Sequence, residues 1–251
     1  MIGAVPVALA LAFLVTALLY ASVGFGGGST YAALLALSGL DYRVLPMVAL
    51  VCNIIVVAGG SIRFARAGLT PWRGAFVLTA LAAPAALLGG LTPVSEARFM
   101  LLLGVSLVLT AIAMLIRVRE DEAGEPTRAA RLIPLAAAPL GYLAGVVGIG
   151  GGIFLAPLLH LTRWHNARAI AATASLFILV NSLFGLLGQA LKHGPAMLGG
   201  AVSAAFPLMI AVVIGGQVGS LMAVRVLPLA WVRWLTAALV AIVGVRLLAT
   251  L

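Results

Sequence analysis

Two runs of glycine carry the residue pattern in this chain that most suggests chemistry. Gly24, Gly26, Gly27 and Gly28 form the first; Gly148, Gly150, Gly151 and Gly152 form the second. Glycine reaches backbone conformations closed to other residues. A run of three lets the chain turn sharply and leaves peptide N–H groups bare. Bare backbone is intolerable against lipid but acceptable where it lines a cavity inside a protein. A helix that restarts after such a break points free N–H donors and partial positive charge into that cavity. The chemistry on offer is the binding of an anion.

Polar side chains near these runs are few. Asn53 and Asn181, one in each half of the chain, are the candidates for donating to a ligand oxygen. Ser29 and Thr30 follow the first run directly. They either tune the pocket or cap a short helix. The competing reading is packing: small residues let membrane helices approach closely, and buried polar groups bond between helices for about 0.6 kcal/mol each. Site formation is favoured because each glycine run is followed by an apolar piece of half-span length, 29–40 and 153–162. A nucleotide loop is disfavoured, since no GK[ST] follows either run.

The elements that must position these residues are membrane helices. Of 251 residues, 64% are hydrophobic and 8% charged, against about 25% charged in an ordinary soluble domain. The mean hydropathy is +1.24. A span needs about 20 apolar residues. Segments 4–23, 44–62, 74–91, 97–116, 132–148, 168–189, 199–224 and 229–249 qualify, which predicts an all-α polytopic membrane protein with about eight transmembrane segments. The short alternating segments of a β-barrel are missing from the pattern. The first three residues carry no basic cluster, so a cleaved leader is not expected.

The segments fall into two repeats, 1–116 and 132–251, around a hydrophilic linker at 117–131. Val23–Gly28 matches Val147–Gly152 at five of six positions, 124 residues apart. Asn53 and Asn181 follow at similar places, then Gly89-Gly90 and Gly215-Gly216, then Pro93 and Pro228 before Arg98 and Arg233. Cytoplasmic loops of membrane proteins are rich in Arg and Lys. If each glycine run reverses the chain, the halves are inverted. Arg63, Arg66, Arg73, Arg163, Arg168, Arg225, Arg233 and the four arginines of the linker then share the cytoplasmic side, eleven cations against four. If 4–40 instead crosses the membrane once, the count is nine against six. The charge bias favours the inverted arrangement, with the linker cytoplasmic and both chain ends outside.

The same inventory excludes other classes. The net charge of +9 is spread over loops, with no soluble face to bind nucleic acid. Cys52 is the sole cysteine, so there is no disulfide framework and no thiol–metal motif. Neither a catalytic triad nor HExxH occurs, so catalysis and a cofactor are not expected. Asp41 and Glu96 lie near span ends and no acid lies mid-span, which argues against proton coupling and against a metal-cation permease. His160 and His165 read as interfacial. An inside-negative potential drives each negative charge outward by about 2.3 kcal/mol per 100 mV, so passive or weakly coupled anion efflux fits. A membrane scaffold that uses glycines for packing and arginines for lipid headgroups is the rival from another class. A homo-oligomeric state stays open.

SVGFGGGS at 22–29 and GVVGIGGGIFLAPLL at 145–159 resemble the paired signatures of the TauE/SafE family of sulfite exporters, also called the TSUP family. The resemblance covers nearly the whole chain. It implies a multi-pass permease of the bacterial plasma membrane that moves a small sulfur-containing anion such as sulfite, thiosulfate or an organosulfonate. Carried over, the motif points to Gly24, Gly26, Gly27 and Gly28 with Gly148, Gly150, Gly151 and Gly152. Ser29-Thr30-Tyr31 stands where the second half has Ile153-Phe154-Leu155, so the two sides of a shared site differ chemically.

Overall fold

In the computed structural model the described residues are 6–22, 24–115, 127–222 and 229–250. They are helical throughout, with no strand among them: α1 Val7–Ala21, α2 Gly28–Leu37, α3 Leu45–Arg66, α4 Trp72–Leu91, α5 Glu96–Leu115, α6 Ile133–Val147, α7 Gly152–Leu161, α8 Ala167–His193, α9 Pro195–Ala204, α10 Phe206–Met222 and α11 Leu229–Ala249. A 3-10 turn, Arg128–Leu132, leads into α6. The first ten residues of the expected linker, 117–126, lie outside the described residues, as do Val23, Arg225 and Pro228.

Local chemistry sets the helix ends. Asn166 caps α8 by accepting from the Ala169 N–H at 2.9 Å. Arg63 and Arg66 sit in the last turn of α3, where the helix dipole favours a cation. Pro46, Pro134 and Pro195 occupy first-turn positions of α3, α6 and α9, where a missing N–H costs nothing.

Five stretches among the described residues are long and apolar enough to cross a membrane: α3, α4, α5, Arg128–Val147 and α8. The expected single span at 199–224 is instead two helices, α9 and α10, bent by 64° at Ala205; taken together they make a sixth. The first expected span is only 15 residues of helix, roughly 22 Å long against about 30 Å of hydrocarbon. The two half-length pieces are found as expected, each a 10-residue helix beginning on the last glycine of its run.

Packing registers give the helix directions. Gly60 and Ser61 of α3 lie on Ser175 of α8, and Leu50 lies on Gly185, so α3 and α8 run oppositely. Gly141 and Gly145 of α6 meet the carbonyls of Ala82 and Ala86, so α6 and α4 run the same way. Gly215 and Gly219 of α10 meet the carbonyls of Leu14 and Leu18, so α10 and α1 also run the same way. On α5 and α11, Gly104 faces Leu248 and Gly244 faces Val108, an antiparallel pair. Gly90, Gly145 and Gly185 bring three helices together at one point, where backbone touches backbone. This close approach is what small residues allow between membrane helices. The outer faces carry exposed Val7, Leu11, Phe76, Leu135, Leu187 and Leu221, side chains suited to lipid rather than water.

Candidate functional site

The breaks at 24–27 and 148–151 are turns between helices. Gly27 and Gly151 stand immediately before α2 and α7 with φ of 82° and 77°, a left-handed backbone that disfavours any side chain. The first N–H groups of α2 and α7 therefore have no carbonyl one turn back in their own helices. No side chain supplies the missing acceptor at either N-terminus. Ser29 and Thr30 thus do not cap α2. The Ser29 hydroxyl is buried and without a partner, and the Thr30 hydroxyl pairs with that of Tyr20 at 3.0 Å.

Asn53 joins the two turns. It is fully buried on α3, and its Nδ2 donates to the Ile149 carbonyl of the second turn at 3.2 Å. Gly26 and Gly28 lie against its amide from the first turn, and Gly150 from the second. Its Oδ1 has no partner. Between the turns remains a cavity of about 10 Å³, walled by Gly26, Gly27, Gly28, Ser29 and Asn53 on one side and Ile149, Ile153 and Ile178 on the other, with Tyr20 and Phe25. That is room for about one water. In this conformation the site is too small for a multi-atom anion.

The remaining expected residues fall outside this wall. Gly24 packs on the Phe64 ring, Gly148 on Pro46, Gly151 on Phe177 and Gly152 on Ile178. Asn181 is fully buried with neither amide atom partnered, yet it does not line the cavity. The register explains why. Asn53 and Val57 face the first glycine run, and Ile178 and Ser182 face the second. Ile178, three residues before Asn181, thus stands against the second glycine run as Asn53 stands against the first, while Gly89 sits on the Tyr142 carbonyl and Gly219 on that of Leu18.

A larger cavity, about 300 Å³, opens at the end of the bundle where α3 begins and α8 ends. Arg43, Lys192 and His193 line it with Gln189, Tyr42, Pro46 and Val146. Arg43 Nε donates to the Tyr42 hydroxyl at 3.1 Å, and that bond raises the guanidinium pKa further, so Arg43 is a permanent cation. Pro46 and Val146 border this vestibule, while Ile149 borders the inner cavity. The segment 146–149, the end of α6 and the start of the turn, is the partition between the two. Each of these residues is unremarkable alone at a helix end; only their convergence marks them. Among the described residues no three of His, Cys, Asp and Glu come together as metal ligands.

No solved structure matches the chain. The profile of the family described as Sulfite exporter TauE/SafE matches residues 8–247. The chain is also similar to the Probable membrane transporter protein y4hK of Sinorhizobium fredii (strain NBRC 101917 / NGR234), with 34% identity covering 96% of this chain and 98% of the relative. With its spanning helices and its match to this profile and to a membrane transporter over nearly the whole chain, this is a membrane permease, and the chain belongs to the TauE/SafE sulfite exporter family.

Proposed function

We propose that the protein exports a small sulfur-containing anion, such as sulfite, thiosulfate or an organosulfonate, across the bacterial plasma membrane. The observation that carries this reading is the meeting of two glycine turns at Asn53, around a small cavity reached by the N-termini of two half-helices. Backbone N–H groups and helix-end charge stabilise an anion there without a basic side chain. Gly24, Gly148, Gly150, Gly151 and Gly152 shape the turns; Gly26, Gly27, Gly28, Ser29, Thr30 and Asn53 supply or support the wall. Asn181, buried with its amide unpartnered, completes the set as a polar group of the second half. The membrane potential supplies the outward force on the charge.

The same reading takes 1–116 and 132–251 as inverted repeats of three crossing elements and one hairpin each. Antiparallel α3–α8 and α5–α11, with α1 parallel to α10 and α6 parallel to α4, support a two-fold relation with its axis in the membrane plane. Arg63, Arg66, Arg73, Arg163 and Arg168 then share the end of the bundle with the linker, whose Thr127 bonds to the Thr162 carbonyl. A cysteine at position 120 is expected to react with an impermeant maleimide only from the cytoplasmic side, and one at position 7 only from outside. Equal sidedness at the two positions would reject the inversion.

The transport reading is tested by reconstitution. Vesicles carrying the purified protein are expected to release sulfite, thiosulfate or methanesulfonate faster than empty vesicles, and faster with the potential negative at the loaded side. Monodisperse, correctly inserted protein that releases none of the three would favour the non-transporting scaffold instead.

A further inference from the structure

We infer that the 300 Å³ vestibule is a second anion site, an exit station at the outer mouth of the carrier where a small oxyanion is held by Arg43 and Lys192. Its role as a station on a transport path rests on the reading above; its ability to bind does not. The volume is at the lower end for small-molecule sites. Three of its lining residues are Arg, Lys and His, and none is acidic. Asp41 and Glu96 lie close enough to be felt by Arg43 but do not line the cavity.

The donors are available. An ammonium has three N–H groups, and Lys192 Nζ commits one to the Thr92 carbonyl at 3.2 Å, which orients the other two. Arg43 is exposed and anchored through Nε, leaving its outer guanidinium nitrogens for a ligand. Gln189 at the buried side donates Nε2 to the Gly145 carbonyl at 3.1 Å and leaves Oε1 without a partner. Pro46, which lines the vestibule, is the residue on which Gly148 packs. An anion held here is therefore one turn of chain away from the glycine-walled cavity.

The test uses the full-length protein in detergent with Val94→Cys, a partly exposed vestibule residue. Native Cys52 is fully buried and should stay silent. Maleimide labelling of Cys at this position is expected to slow severalfold in sulfate or methanesulfonate relative to chloride at equal ionic strength. Arg43→Gln with Lys192→Gln should raise the anion concentration needed for half-maximal protection about tenfold or more, the affinity loss expected for removing charge-assisted hydrogen bonds. Arg43→Lys with Lys192→Arg should restore most of the affinity. Equal labelling in all three salts, or protection that survives the charge-removing pair, would overturn the site. A lipid phosphate is the other source of the same chemistry. If phosphatidylglycerol nanodiscs slow labelling and sulfate adds nothing, the occupant is a headgroup and the exit-station role falls. Protection without vesicle flux would leave this site standing and remove the transport reading; flux without protection would do the reverse.

Discussion

Gly28→Ala is expected to abolish transport while the protein still inserts and purifies as a folded species. A methyl at Gly28 would fall on the Asn53 amide nitrogen and 2.5 Å from the Ile149 carbonyl oxygen. The first neighbour is the side chain that ties the two turns together, and the second is backbone of the opposite half. Neither can move without separating α2 from the 148–151 turn, and a 10 Å³ cavity cannot absorb the difference. Overpacking of this kind costs about 1–3 kcal/mol, tolerable for a bundle with this much buried backbone contact. For a carrier whose half-helices must close around a ligand, the upper end of that range corresponds to a flux loss of about a hundredfold or more, in effect an abolition of transport. Gly27→Leu and Gly151→Leu should fall in the same class, because φ of 82° and 77° strains any side chain. Gly199→Ala is the control: nothing lies within 4 Å of a Cβ there. Flux per mole of inserted protein is the measurement, and wild-type flux in Gly28→Ala would mean the meeting of the turns is not on the transport path.

Asn53→Leu is expected to have the next largest effect. The substitution removes the donor to the Ile149 carbonyl and leaves that oxygen buried and unpaired, at a cost of about 1–3 kcal/mol. It also makes this wall resemble the opposite one, where Ile178 already faces Gly150 and Gly152. The cavity would then keep only the Ser29 and Tyr20 hydroxyls beside the backbone N–H groups to solvate a charge. Flux should fall about tenfold to a hundredfold, with a lowered unfolding temperature in detergent. The reciprocal Ile178→Asn in the Asn53→Leu background should recover part of the flux, since either side can present the amide to the shared space. Asn181→Leu should be milder, because Asn181 does not line the cavity. If Asn181→Leu is the more damaging of the two, the assignment of Asn53 as the joining residue is wrong.

Several features were legible before any coordinates. The two half-helices end within three residues of their sequence-read limits, because a glycine run followed by ten apolar residues leaves the chain few alternatives. Four of the eight spans, 44–62, 74–91, 97–116 and 168–189, are long single helices at those places. The bend at Ala205 carries a signal that hydropathy is blind to: Pro207, two residues on, lacks the N–H that would continue one helix through the segment 199–224. The vestibule was hidden for another reason. Arg43, Lys192 and His193 each read as an ordinary cation or polar group at a helix end, a common interfacial position.

By itself the sequence determined that this chain enters a membrane as helices, where those helices are interrupted, and what chemistry an interruption offers. These are local properties: transfer of side chains out of water, and the backbone freedom of glycine. Only the tertiary structure decided that Asn53, and not Asn181, joins the two turns, that Ile178 stands opposite it, and that three basic residues converge on one mouth. Asn53 and the Ile149 carbonyl are 96 residues apart in the chain. Which residues meet across such a distance depends on the register of one helix against another, and one turn of slip exchanges an amide for a hydrocarbon. That register is set where glycine Cα atoms lie on neighbouring carbonyls, contacts that no reading of residue type along the chain can supply.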